Sequence, residues 1–366
     1  MRKISWVFNT GLPTSSRREH TVYDPNNSPT VELLQGASFD ISYGDGSFAN
    51  GPVVIDSVDV GGATVQRQAI GIPNQVSDSF IEDVHSSGLV GLSFSKINTI
   101  RPDSQKTFFD NIAPDLSSPV FTASLKTGGP GAYEFGNIDE SLFQGDLTEV
   151  VVDTSRGFWE FESRAFAVGD QPVQERPGGG GAGGLGTAIA DTGTSLILMD
   201  DEIVASYYEQ VDGAFQEDQI GGFVFPCDST MPDLQVAVGS DYMALIPGEN
   251  MNFARAGVID GTESESSPFP NFPLLPFSPR GDLSLSPPIS LDLSKHRHRS
   301  NPDFQSSIHP FILPIMKLKF STIVCFGGIQ SNEDAPLQIL GDVFFKSQFV
   351  AFNHGDVPSL GLALHS

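Results

Sequence analysis

The stretch IADTGTSL, residues 189–196, sets a carboxylate, Asp191, on a tight turn between small and apolar residues. Gly193 allows the backbone to bend close to that carboxylate, and the hydroxyl of Thr194 or Ser195 lies within reach of it. A carboxylate held this way can work as a general acid or base, provided a second carboxylate faces it to divide the proton work. The chain shows this triplet once. Asp153 in VVDTSRG has a similar neighbourhood but falls at a junction between two β-rich halves.

The elements that must position such a turn read as β. Alternation in ASFDISYGDGSF puts Phe39, Ile41 and Tyr43 on one face, and Gly44-Asp45-Gly46 then turns the chain. VDVGGATVQ reads as a hairpin about Gly61-Gly62, and AFAVGDQPVQ as another about Gly169-Asp170. Helices are few: DDEIVASYYEQVDGA, capped by Asp200 or Asp201 and ended by Gly213, and a short one in QKTFFDNIA. Many short runs divided by 38 glycines and 26 prolines fit a sandwich or barrel-like class, not a parallel α/β sheet.

A chain of 366 residues is long enough for two lobes. With 45 acidic against 20 basic residues its formal charge is −25, which disfavours nucleic acid and anionic membranes as partners. Mutual repulsion of so many carboxylates fades in acid, so an acidic working environment suits the composition. Two cysteines, Cys227 and Cys325, fit either one disulfide or two buried thiols. MRKISWVFNT carries no apolar run of signal-peptide length, and FILPIMKLKF is too short and interrupted for a membrane span.

Two segments stand apart. RPGGGGAGGLG, residues 176–186, holds Gly181, Gly183 and Gly186 in G-x-G-x-x-G spacing, but lacks the strand-before, helix-after context of a dinucleotide site and reads as a surface loop. Residues 262–320 hold ten of the 26 prolines and the basic run Lys295–Arg299. A basic partner-binding arm or a His-rich metal site are alternatives there; the composition reads instead as a disordered insertion.

Beyond the triplet, motifs follow one another along nearly the whole chain outside that insertion: WVFNT, YDPNNSPT, ISYGDGS, SGLVGLSFSKIN, QKTFFDNI, GFWEF, IADTGTSL, CFGGIQS and ILGDVFF. In this order they resemble the pepsin-like aspartic endopeptidases, most of all the secreted fungal penicillopepsin and aspergillopepsin type. The resemblance implies a mostly β, bilobal fold with an N-terminal lobe over 1–154, a flap at 41–48 and a C-terminal lobe over 155–366. It implies hydrolysis of peptide bonds at acidic pH by two aspartates that share a proton and hold a water.

By position, Asp191 is the second-lobe catalytic aspartate, and Gly193 and Thr194 lie where the family meets the substrate backbone. Tyr43 is the flap tyrosine, with Gly44 and Asp45 at the flap tip, and Trp6 is its hydroxyl's partner. For Tyr43 and Trp6 the plain alternative is packing aromatics, and for Asp45 a turn residue. The resemblance also implies a Cys227–Cys325 disulfide, protein or peptide substrates, a monomer, secretion, and no cofactor or metal.

The pattern departs in three places. Reading back from Trp6, the first D-T-G-S-S-x-L-W aspartate falls before Met1, so MRKIS holds no partner for Asp191 and the first lobe reads as truncated. Residues 262–320 stand where the family has a few residues, and the two oddities together suggest a gene model with a lost exon and a retained intron. Ser87 stands where relatives carry Asp. An aspartic endopeptidase by family whose 366 residues are inactive alone is the leading expectation; a non-catalytic peptide-binding protein, or two chains pooling Asp191 across a dimer, are the alternatives.

Overall fold

The computed structural model describes residues 4–176, 186–260, 321–333, 335 and 337–366. The Gly181-x-Gly183-x-x-Gly186 spacing and the reading of 262–320 as disordered therefore fall largely or wholly outside the described residues. Five sheets carry the fold, and short helices decorate them. No helix among the described residues is long and apolar enough to cross a membrane.

The first sheet has seven strands and is built from the opening part of the chain. Its centre is the long hairpin of Phe48–Val60 and Ala63–Gly71, turned as expected by Gly61 and Gly62, both at positive φ (61° and 88°). Glu32–Ser42 pairs with the other edge of Phe48–Val60, and the alternation there is real: Phe39 and Ile41 are buried. Trp6–Val7 lies parallel to Ala63–Gly71 and antiparallel to Gly88–Leu89. Their inner faces meet in one cluster that includes Ile4, Trp6, Phe8, Phe39, Ile41 and Ile100.

A five-stranded sheet then joins early and late chain, in the order Thr148–Val151, Ser359–Leu364, Gln348–Asn353, Val120–Ser124, Ala132–Phe135. Phe121, Val350, Phe352, Leu360 and Leu362 enter the largest core cluster, which also takes Phe108 and Phe109 from the short helix Phe108–Ile112. Val120, Phe349, Ala351 and Ala363 pack with Phe143 in a smaller one. That helix is capped by Thr107, whose hydroxyl accepts from the Asp110 amide. At the rim of this joint Asp110 meets His354, Nε2 to Oδ1 at 2.8 Å.

Burial works against the Asp110 carboxylate, yet hydrogen bonds from His354 and from Ser95 Oγ and amide hold its pKa below the usual range. His354 is pushed up by its bond to Asp110, with burial opposing.

The remaining sheets belong to the second half. One has the order Glu160–Glu162, Thr187–Ala190, Gln338–Leu340, Ile197–Met199, Ile329–Ser331. Another pairs Ala165–Val168 with Gln174–Glu175 through the Gly169 turn and continues into Leu234–Val238 and Tyr242–Ile246. The last runs Phe215–Glu217, Gly222–Pro226, Ser321–Gly327, Asn252–Asp260.

In this last sheet Cys227 and Cys325 form a disulfide, with Cα atoms 4.9 Å apart. Asn252–Asp260 pairs with Ser321–Gly327 through register shifts between Asn252 and Ala254 and between Arg255 and Gly257. From Gly257 opposite Val324 the pairing runs regularly until Asp260 faces Ser321.

The long helix is shorter than the pattern predicts. It spans Asp201–Tyr208 and gives way to tight turns before Gly213, which at φ 74° bends the chain further on. Asp200 occupies the cap position without capping through its side chain, because its carboxylate is engaged by Arg176 and Asn332.

Two predictions follow from these joints. Replacing Cys227 and Cys325 by serine opens a loop of 98 residues and lowers stability by about 4–5 kcal/mol in the chain-entropy account, read as a shifted denaturant midpoint. Intact protein alkylated without reductant takes up no label.

The substitution His354→Asn costs about 1–2 kcal/mol at about pH 5 in thermal or urea unfolding. The sign follows from the two shifts. The raised His354 contributes stability that is lost as pH rises through its folded pKa; the depressed Asp110 contributes stability lost as pH falls through its own. The gap between variant and parent therefore narrows in strong acid and again in alkali.

Candidate active site

Asp191 sits where the strand Thr187–Ala190 runs out. That strand lies parallel to Gln338–Leu340, and the Asp191 amide extends the ladder by donating to the Leu340 carbonyl at 3.0 Å. The chain turns at once, with the Thr194 amide donating to the Asp191 carbonyl at 3.1 Å. It returns as Ile197–Met199, antiparallel to the same Gln338–Leu340. The turn thus spans one end of a strand that pairs with both of its arms.

The carboxylate is oriented by its own turn. Oδ1 accepts from the Gly193 amide and Oδ2 from Thr194 Oγ1, both at 2.9 Å. Gly193 and Thr194, read from the sequence as substrate contacts, thus serve the aspartate directly. A neighbouring glycine makes the geometry possible: a Cβ at Gly341 would lie 2.3 Å from both the Thr194 and Leu196 carbonyl oxygens. Just beyond it, the Asp342 and Val343 amides donate to the carbonyls of Thr194 and Ser195 at 2.8 and 3.1 Å.

Two supports were not visible in the sequence. Tyr133, on the strand Ala132–Phe135 of the joining sheet, brings its hydroxyl to the Thr192 side chain. The residue is 41% exposed, and burial raises its pKa against the bond with Thr192. Arg176 is buried; it donates to the Ser163 carbonyl, to Asp200, and to the Gln338 amide oxygen from Nε at 2.9 Å and Nη2 at 2.7 Å. No periodicity marks either residue, because each acts on a segment remote in sequence.

The other predicted residues gather on the first sheet. Ser42 pairs with Phe48, and the loop between them closes through Tyr43 N to Ser47 O at 2.8 Å and Gly46 N to Tyr43 O at 3.0 Å, with Gly46 at φ 79°. Trp6 Nε1 donates to the Tyr43 hydroxyl at 2.9 Å. Phe80, which no local pattern marks, stands edge-on to both rings, with centroids 5.0 Å from Trp6 and 5.5 Å from Tyr43.

Asp45 Oδ1 accepts from the Ser47 amide at 3.0 Å and from Ser47 Oγ at 2.6 Å, the geometry of a turn cap. Ser87 Oγ accepts from the Thr21 amide at 3.0 Å. Asp153, the other D-T sequence, caps its own turn through the Ser155 amide at 2.7 Å.

A carboxylate with two fixed donors on a glycine-dependent turn can serve as one half of a general acid–base pair, and an aromatic-backed hairpin loop stands on another sheet. Comparison with known proteins agrees. The profile of the eukaryotic aspartyl protease family matches residues 4–260 and 296–365.

The chain is 45% identical over 358 residues to an aspergillopepsin A-like aspartic endopeptidase of Aspergillus fumigatus, an overlap of 98% of this chain and 68% of that protein. It is 39% identical over 358 residues to aspergillopepsin-1 of Aspergillus oryzae, at 98% and 70% coverage. Penicillopepsin-1 of Penicillium janthinellum gives the same identity at 98% and 87%. On its sheets, its motifs and these matches, the chain belongs to the pepsin-like aspartic endopeptidases of the eukaryotic aspartyl protease family.

Proposed function

We propose that Asp191 is one of the two carboxylates that activate water for peptide hydrolysis in acid. The observation that carries this reading is the pair of donors on its carboxylate, Gly193 N and Thr194 Oγ1. They fix both oxygens in direction, as a carboxylate that shares proton work with a second one requires. One carboxylate takes a proton from the water as its oxygen attacks the peptide carbonyl, and the other gives a proton to the peptide oxygen.

In this reading the loop at 41–48 is the flap. Tyr43, held by Trp6, closes over the substrate with Gly44, and Asp45 is fixed by Ser47 so that one carboxylate oxygen remains for a basic side chain. Residues 1–154 and 155–366 form the two lobes, and the substrate lies between them. The enzyme works as a monomer on protein chains outside the cell, with no nucleic acid or membrane partner.

Residues 1–366 alone do not cleave, because MRKIS, the segment entering Trp6, contains no aspartate to share the proton with Asp191. Digestion of denatured haemoglobin at about pH 3–5 tests this. The 366-residue polypeptide gives no pepstatin-sensitive turnover, whereas a version with a D-T-G-S-S-x-L segment joined ahead of Trp6 does. Asp191→Asn in that version loses activity by several powers of ten. Pepstatin-sensitive cleavage by the 366 residues alone overturns the reading.

The stretch 262–320 is an insertion that the fold does not need. The register of Asp260 with Ser321 supports this; the break in the family match supports it for 261–295 only, since the match takes in 296–320. Joining Asp260 to Ser321 through Asn-Gly completes a hairpin whose last four pairs are already in register, so the shortened protein keeps its unfolding free energy within about 1 kcal/mol of the parent. A collapse of the circular-dichroism melt would show instead that 261–320 is structural.

A further inference from the structure

His20 takes no part in the chemistry described above, yet it is 7% exposed and closely held. Its ring stacks on Phe8, with centroids 3.8 Å apart and planes 11° from parallel. Nδ1 lies 2.8 Å from the Ser86 carbonyl oxygen and Nε2 lies 3.1 Å from the Ile81 carbonyl oxygen. A carbonyl oxygen can only accept. A neutral imidazole has one N–H, so it satisfies one of these contacts and turns a lone pair toward the other; the imidazolium has two N–H groups and satisfies both. The face of Phe8 also favours a cation.

The two carbonyls bracket the segment that backs the flap. The helix Asp78–Glu82 carries Phe80, which stands against both Trp6 and Tyr43. Beyond it the chain is tied down by neutral bonds, Phe8 N to Ser87 O at 2.9 Å and Thr21 N to Ser87 Oγ at 3.0 Å. Gly88 then passes so close to the Trp6 backbone that a Cβ would lie 2.3 Å from the Trp6 carbonyl oxygen. Between Phe80 and Ser87, His20 supplies the side-chain tie to two backbone points at once.

We propose that His20 is a positioning residue, an acid-set clasp whose imidazolium fastens residues 81–86 and so holds Phe80 behind the Trp6–Tyr43 pair. Loss of one ring proton releases one of the two carbonyls and loosens that backing. The consequence for substrate rests on the reading of Tyr43 as the flap residue; the clasp itself is a property of residues 77–88.

The charged groups on the elements packed around the ring are Arg17, Arg18 and Glu19 beside it, and Asp78, Glu82, Asp83 and His85 across from it. Of these, Arg17 Nε and Asp83 Oδ1 are buried without a hydrogen-bond partner.

Hydrogen exchange read by mass spectrometry on the full chain tests the clasp at about pH 4 and about pH 8, a span that crosses ordinary imidazole titration. Rates are corrected for intrinsic pH dependence, and the strand Val120–Ser124 serves as internal reference. Protection of amides 79–88 should fall about tenfold at the higher pH, the scale of one charge-assisted hydrogen bond. His20→Phe keeps the stacking and removes both donors, so its protection is low and equal at both pH values. His85→Gln, on the same segment, keeps the parent's pH effect.

Should His20→Phe not fold, ring ¹⁵N spectra of the parent decide the matter: both nitrogens carry hydrogen whenever the segment is fully protected. Equal protection at both pH values, or a neutral ring in a fully protected segment, overturns the clasp. Failure of the flap reading shows differently, as Tyr43→Phe leaving peptide binding unchanged while the clasp still titrates.

Discussion

The approach of the Gly341 backbone to the Thr194 and Leu196 carbonyls is the constraint on which the site depends. Each Asp191 carboxylate oxygen accepts from a donor within its own turn, Gly193 N and Thr194 Oγ1, so its geometry leans on that turn. The turn is fixed because the strand Gln338–Leu340 pairs with both arms, and because the amides after Gly341 bind the carbonyls of Thr194 and Ser195. Any side chain at Gly341 would separate these segments and unpair four backbone groups together. Arg176 extends the same logic by one layer, since its guanidinium ties Gln338 to Asp200 and to the Ser163 carbonyl.

A rigid turn keeps its place only if the segments around it do, and aromatic packing provides this. Phe121 from the early chain stacks on Phe352 from the late chain, centroids 4.5 Å apart and nearly parallel, with Trp159 edge-on to both. Phe109 adds another edge contact on Phe121. Rings of this size bury much apolar area with few rotamers to freeze, so a small number of them can join segments far apart in sequence. Tyr133 belongs to the same sheet, so the packing that joins the two halves also carries a hydroxyl to the Asp191 turn.

How far the sequence could be read depended on whether the relevant physics is local. Hairpin alternation around Phe39 and Ile41, the Gly61-Gly62 turn and the Asp191 turn are settled by neighbours within a few residues, and they were legible. The Cys227–Cys325 pairing and the division of roles between Trp6 and Tyr43 came from family resemblance; spacing alone left both open.

What escaped reading is long-range and polar. Tyr133 on Thr192, Arg176 on Gln338, His354 on Asp110 and Phe80 behind Tyr43 join residues that no periodicity connects. The helix misread at its end shows the same limit: Asp200 has the residue type of a cap, but Arg176 and Asn332 compete for its carboxylate and win.

The net charge of −25 admits a fuller account than repulsion alone. Several carboxylates cap turns: Asp59 accepts from Thr64 and Gly62, Asp139 from Ser141, Asp153 from Ser155. Each has its pKa lowered by those bonds, led by the Thr64 side chain for Asp59, the Ser141 side chain for Asp139 and the Ser155 amide for Asp153.

A depressed carboxylate contributes while ionised, and that contribution is lost as pH falls through its folded pKa. Relief of repulsion on acidification is thus opposed, in stronger acid, by the loss of turn caps and of the Asp110 partner to His354. Moderate acid is the window in which the repulsion has begun to ease, these caps still hold, and imidazoles bear charge. The turn caps on Asp59, Asp139 and Asp153 and the Asp110–His354 pair thus match the stability of the fold to that window through hydrogen bonds.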